Sequence, residues 1–312
     1  MAQFLDPNHF LHKQNQEIYA HEIAHEQLLF LNLFNTHQNE TGTFMSLDSN
    51  LSAAKELADK IMSEPTRYGE GVDFTKIKFT DETPEAGVLG GRGFAFDYGD
   101  MWEKNGMMSS TYPNRVMKCI SALCIYTDLL VANTLKTAAG TAAPNTTDWT
   151  DADEFDPSHD INLIQQEFYE SPQKLLATDI LLSGTQYFAL CDYLDSFKIQ
   201  YDMLNLTWKG LKFWNAGNIL ENKKYLALCN KVPAAVLEKY TNPKYSTIQQ
   251  AIDTAVANGD KKALTKLPDA LVNTNTYKPQ GKPEMNTQQF WFNMVPNVVN
   301  KESIMYGTFG SS

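Results

Sequence analysis

Basic residues are scarce in this chain. Its 26 Lys and Arg stand against 37 Asp and Glu, leaving a formal net charge of −11 over 312 residues. No basic stripe is visible, which argues against a nucleic-acid reader, because phosphate affinity is built from clustered cations. The cysteines are only four, Cys119, Cys124, Cys191 and Cys229, and no two form a C-x-x-C pair. All lie among apolar residues, the pattern of buried free thiols and a reducing compartment, not of a disulfide framework. Histidine is thin too: six in all, with only His159 beyond the first 40 positions. A histidine-based triad would have to recruit the N-terminal region or that one residue.

Long uninterrupted apolar runs are also missing. The most apolar helical stretch, Tyr112 to Gly140, is broken by Arg115, Lys118, Asp128, Asn133 and Lys136, which argues against a membrane span. Leu28 to Phe34 is too short, and follows too many charges, to read as a leader. Apolar residues still make up 43%, enough for a proper core and too many for wholesale disorder.

The 112–140 stretch organises the rest. Pro113 suits a first helical turn and Gly140 a left-handed stop. The roughly 26 residues between them would span about 39 Å. Val116, Ile120, Leu123, Leu130, Val131 and Leu135 recur on one face, and Met117, Cys124, Ile125 and Leu129 on a second.

Before this helix, residues 1–65 read as an arm with helices. Tyr19, Ile23, Phe30, Leu33 and Phe34 form one stripe, and 51–63 a short helix capped by Asn50. Residues 66–106 read as a long hairpin. Val72–Thr80 is one strand, Phe94, Phe96 and Tyr98 alternate along the other, and DETPEAGVLGGRG is the tip. A lone two-stranded hairpin is marginal in water, so it must lean on something else.

After the helix comes an aperiodic stretch, then a helix over Ile161–Tyr169 started near Ser158, His159 or Asp160. LLATDILLSG reads as a buried strand, TQYFALCDYLDSF as an amphipathic helix, and LTWKGLKFWNAGNIL as two strands about a Lys-Gly turn. KKYLALCNKVPAAVLEKY gives a buried strand and a further element, STIQQAIDTAVANG a helix, and the tail is β-prone with Pro296 marking a break or an edge. Strands and helices in mixed order without a βαβ repeat argue an α+β fold.

Among motifs that carry chemistry, HEIAH is the loudest. On a helix, His21 and His25 would fall one turn apart and could hold zinc while Glu22 activates water. Only 20 residues precede it, and Leu28 and Leu31 stand where the glycine and the third histidine of the extended motif would fall. A polar helix face explains the pattern as well. GVLGGRG lacks the Lys-Ser/Thr ending of a phosphate loop. The run Asp151, Asp153, Glu154, Asp156 lacks the glycine and glutamate of a calcium loop.

In their order these segments resemble the major capsid proteins of tailed phages, the Hong Kong 97-type fold. The hairpin looks like the family's extended E-loop, and the long helix like its spine. Trp149, Asp156, Pro157, Asp160 and Ile161 are similar to the lead-in of its axial domain. KLLATDILLSGTQYFALCDYLDSF resembles the following strand and helix, and TQQFWFNMVPNVVNKESIMYG the strand returning beside the spine. The resemblance implies four parts: an arm over 1–65, an E-loop over 66–106, a peripheral domain over 107–150 and 286–312, and an axial domain over 151–285 holding an insertion at 241–285.

It implies a non-enzymatic structural protein with no cofactor and no catalytic or metal site. This protein would self-assemble into hexamers and pentamers of an icosahedral shell around double-stranded DNA. The DNA would be touched non-specifically, and portal, scaffold or decoration proteins would be further partners. It further implies no membrane association, a place in the virion capsid and assembly in the host cytoplasm. Pro84, Gly87, Gly90, Gly91, Arg92 and Gly93 would form the hairpin tip used in assembly. The alternatives are a zinc metallopeptidase using His21, Glu22 and His25, a nanocompartment shell that holds cargo, or another virion or surface-layer component.

Overall fold

A computed structural model describes residues 23–24, 26–39, 43–46, 85–88, 92–99, 107–151, 155–171, 174–229, 233–240, 272–277, 279–282, 284–292 and 294–310. The chain divides into two compact units. One takes its described residues from Met1–Phe44, Ala86–Val131 and Leu237–Pro296, the other from Met45–Glu85, Ala132–Val236 and Asn297–Ser312. The expected helices at 51–63 and 246–259, and the expected strand at 72–80, lie outside the described residues.

Helix α1, Met107–Ala138, is 32 residues long, about 48 Å. It starts earlier than Pro113 suggests, so this proline sits in the second turn, where it removes a backbone hydrogen bond. Packing offsets that loss: the neighbouring Tyr112 is fully buried, and helical stability in proteins comes mainly from such contacts. Val116, Ile120, Leu123, Val131 and Leu135 are buried as their spacing predicts, and Leu130 is half-buried. The second face divides: Cys124 is buried, Leu129 half-buried, and Met117 and Ile125 exposed.

Gly140 is not the left-handed cap expected of it. Its N–H bonds the Lys301 carbonyl at 2.9 Å, and a Cβ there would lie 2.9 Å from that backbone. The glycine serves close approach.

Strand β1 is Thr36–Asn39, β2 Thr43–Ser46, β3 Glu85–Val88 and β4 Arg92–Gly99; β1 and β4 lie wholly in the first unit. β2 and β3 form a two-stranded sheet. The expected hairpin partner of β4, residues 72–80, lies outside the described residues, and the ladder the structure describes for β4 is a different one. It runs against β11, Met285–Phe292, antiparallel from Gly99↔Met285 to Arg92↔Phe292. Strand β10, Val272–Tyr277, pairs with the other side of β11. The support that the hairpin needed therefore comes from far along the chain, part of it from the segment read as an insertion.

Aromatic rings hold this sheet to α1. Phe96 lies 5.5 Å from Tyr112 and 6.2 Å from Phe290, and Tyr98 lies 5.3 Å from Tyr112. The Tyr112 hydroxyl donates to Gln288 Oε1 at 3.2 Å. A third sheet has the order β1-β9-β12, with β9 at Ala235–Tyr240 and β12 at Met294–Val298. Pro296 lies in edge strand β12, where a missing donor is tolerated.

The second unit is built on a five-stranded mixed sheet of order β13-β8-β5-β7-β6. Its strands are β5 Asp179–Leu182, β6 Thr207–Trp208, β7 Leu211–Asn215, β8 Lys224–Leu228 and β13 Ile304–Thr308. Helices α2, Pro157–Glu170, and α3, Gly184–Ser196, share one core with it. Ile180, Leu182, Phe213 and Tyr225 meet Ile164, Phe168 and Leu190 there. Leu181, Leu226 and Leu228, on the opposite face, are also fully buried. Both faces are covered, which is why DILL reads as a continuous apolar run. Lys209 and Gly210, both with positive φ, make the expected turn between β6 and β7. Each large side chain buried in this core contributes roughly 1.5–3 kcal/mol.

Candidate functional site

His21, Glu22 and His25 lie outside the described residues. Around them Ile23 and Ala24 are helical and buried, while Glu26 and Gln27 are helical and exposed. Among the described residues no group of three His, Cys, Asp or Glu side chains could hold a metal ion. Of the acidic run at 151–156, Asp156 serves as the N-cap of α2: its Oδ1 accepts the His159 N–H at 3.0 Å. Pro157 follows in the first turn.

Of the expected hairpin tip, Pro84, Gly90 and Gly91 lie outside the described residues. Gly87 falls within strand β3 rather than a turn. Arg92 and Gly93 open β4, opposite Phe292 and Trp291. The stretch read as one turn-rich tip thus contains the start of a ladder.

The N-terminal segment is fixed to α1 by a buried carboxylate. Asp128 Oδ2 accepts the Leu29 N–H at 3.1 Å and Oδ1 the Phe30 N–H at 3.4 Å. Those are the first donors of a 3-10 turn at Phe30–Asn32, and unpaired donors at such a start are costly to bury. Desolvation lifts the Asp128 carboxyl to about 6, against the opposing pull of the two N–H groups. Downstream, β1 pairs in parallel with β9, and His37 Nδ1 meets Glu238 Oε2 at 2.8 Å across that pair.

A second polar centre forms around Asp160, which is fully buried. Its Oδ2 accepts the Trp149 indole N–H at 2.8 Å, the Thr147 N–H at 3.0 Å and the Thr147 hydroxyl at 2.6 Å. Trp149 stacks on Phe309 with ring centroids 4.3 Å apart. The sequence motif of Trp149, Asp156, Pro157, Asp160 and Ile161 is therefore structural: it ties the lead-in of α2 to the end of the chain. Thr147 carried no signal of its own.

The turn after α3 was not singled out by its sequence either, because FKIQYDML mixes apolar and polar residues without a period. There Phe197, Met203 and Leu204 are exposed.

No family profile and no curated protein sequence matches the chain. Solved structures do. A virus-like particle chain from Pyrococcus furiosus superposes with a TM-score of 0.55 at 11% identity, covering 92% of this chain and 95% of that one. A chain from Mycobacterium phage Che8 gives 0.51 at 12% identity and 90% of both chains. The chain has the Hong Kong 97-type capsid fold. A Synechococcus elongatus encapsulin complex is a further match, with a TM-score of 0.51, 12% identity, and 89% of this chain and 85% of that one covered. The Hong Kong 97-type fold thus spans nearly the whole of this chain, at an identity where backbone architecture is what is shared.

Proposed function

We propose that this chain is a major capsid protein: a structural, non-enzymatic subunit that assembles with copies of itself into the shell of a tailed virus around double-stranded DNA. The observation that carries the reading is end-to-end coverage. A particle-forming chain matches 92% of this one and is itself 95% matched, so almost no residues remain over for a second fold. On this reading residues 66–106, which contain β4, are the E-loop, 107–150 and 286–312 the peripheral domain with α1 as its spine helix, and 151–285 the axial domain with its insertion. Portal, scaffold or decoration proteins are further partners, and the protein resides in the virion capsid after assembly in the host cytoplasm. The acidic balance of −11 suits a surface that does not trap packaged DNA.

Negative-stain microscopy of the purified protein tests the reading. Closed particles or rings are expected; a clean monomer under every ionic strength and crowding condition overturns it. Residues 80–93, which include Pro84, Gly87, Gly90, Gly91, Arg92 and Gly93, are proposed as assembly residues. Deleting them is expected to leave the monomer's unfolding transition in place and to remove closed shells. The likeness to an encapsulin supports a second reading, a nanocompartment shell. Native mass spectrometry of particles made in cells separates the two by finding protein cargo or nucleic acid inside.

A further inference from the structure

The first turn of α3 holds two buried polar side chains that bond no protein group. Ser183 is the N-cap of the helix, with the extended backbone usual there (φ −60°, ψ 156°), yet its side chain caps no N–H. Gln186 occupies the third helical position. Ser-x-x-Gln is the spacing of a capping box, in which each side chain bonds the other residue's backbone N–H. Here neither bond forms. Both residues are fully buried, and among the described residues Ser183 Oγ, Gln186 Oε1 and Gln186 Nε2 have no hydrogen-bond partner. Helical side chains lean toward the N-terminus and residues three apart share a face, so the amide and the hydroxyl belong to one small volume.

The segment after β7 closes over this turn. The Ala216 N–H donates to Leu182 O at 2.8 Å, the Gly184 N–H to Gly217 O at 3.3 Å, and the Thr185 hydroxyl to Asn222 Oδ1 at 3.2 Å. Asn215 Oδ1 is taken by the Gly217 N–H at 2.9 Å. Unpaired buried polar groups are destabilising, and native folds satisfy nearly all of theirs with protein groups or ordered water. The chemistry of the set selects the ligand. Oε1 needs a donor, Nε2 needs an acceptor, and the hydroxyl takes either. A helix start favours negative charge, but an anion cannot donate to Oε1. None of residues 182–187 and 215–220 is charged, so a buried ion would find no counter-charge among them. Water donates and accepts at no cost in charge.

We infer that the start of α3 is an internal water site: a water molecule bridges the Ser183 hydroxyl and the Gln186 amide, in place of the two direct bonds of a capping box. An experimental structure of the full-length protein, at a resolution that shows waters, tests it. A density peak about 2.7–3.2 Å from both Ser183 Oγ and one Gln186 amide atom is expected. Direct capping bonds, another protein partner for either side chain, or a dry turn overturns the site. Urea unfolding gives a second readout. Gln186→Met keeps the side chain's length and removes the amide, so its midpoint is expected to fall below that of wild type. A higher midpoint means that the amide is unpaired in the wild type and overturns the site. Ser183→Ala combined with Gln186→Met is expected to lose less than the sum of the single losses, because both act through one molecule; strict additivity overturns the bridge. Sodium phosphate separates water from an anion. The midpoint difference between wild type and Gln186→Met is expected to stay constant as phosphate replaces chloride at fixed ionic strength, and a difference that grows with phosphate overturns water as the ligand. Should Gln186→Met fail to fold, the experimental structure alone decides.

Discussion

Asp128 is the residue whose protonation most directly reports on the fold. In the unfolded chain it titrates near 3.8, and in the folded protein burial lifts it to about 6. Between these values the folded state holds the proton more tightly. The contribution to stability is complete below about pH 4, declines as pH rises through 6, and is gone above it. The difference amounts to about 3 kcal/mol. Urea unfolding at pH 4.5 and pH 7 is expected to show wild type losing stability relative to Asp128→Asn over that interval. Parallel slopes for the two proteins would mean that the carboxyl ionises freely in the fold.

At the scale of elements, the pairing of β13 with β8 rests on a missing side chain. Gly307 lies opposite Tyr225 in the ladder, and a Cβ there would clash with the hydroxyl end of the Tyr225 side chain. Gly307→Ala is expected to cost about 1–3 kcal/mol by overpacking, read as a lower denaturant midpoint with an unchanged slope. Such elements differed in how far their sequences disclosed them. β5, α3 and the Lys209-Gly210 turn were legible because their signals are local: a continuous apolar run, a helical period and a turn dipeptide. Pro113 and Gly140 misled, since each was read as a terminus signal while packing and close approach had decided its place. The partner of β4 was illegible, because nothing local marks a ladder such as Phe96↔Gln288. The Asp160 centre was half legible: its motif could be recognised, but the convergence of Thr147 and Trp149 on one oxygen needed the fold.

For the whole molecule, charge opposes the self-assembly proposed above. Copies carrying −11 each repel one another, and the range of that repulsion shrinks from about 10 Å at 0.1 M salt to about 3 Å at 1 M. Light scattering is expected to show faster and more complete particle formation as sodium chloride is raised across this range; assembly that weakens with salt would point to contacts made by opposite charges instead. The ladder between β4 and β11 has a further consequence, in time rather than in space. Its partners are separated by nearly 200 positions along the chain, and pairings so distant close late and slowly. A nascent chain that has not yet reached Met285 has no partner strand to offer β4 and no Phe290 to set against Phe96. The first unit can therefore be finished only after β11 has been made, so a ribosome-bound fragment that stops short of it cannot carry the completed sheet.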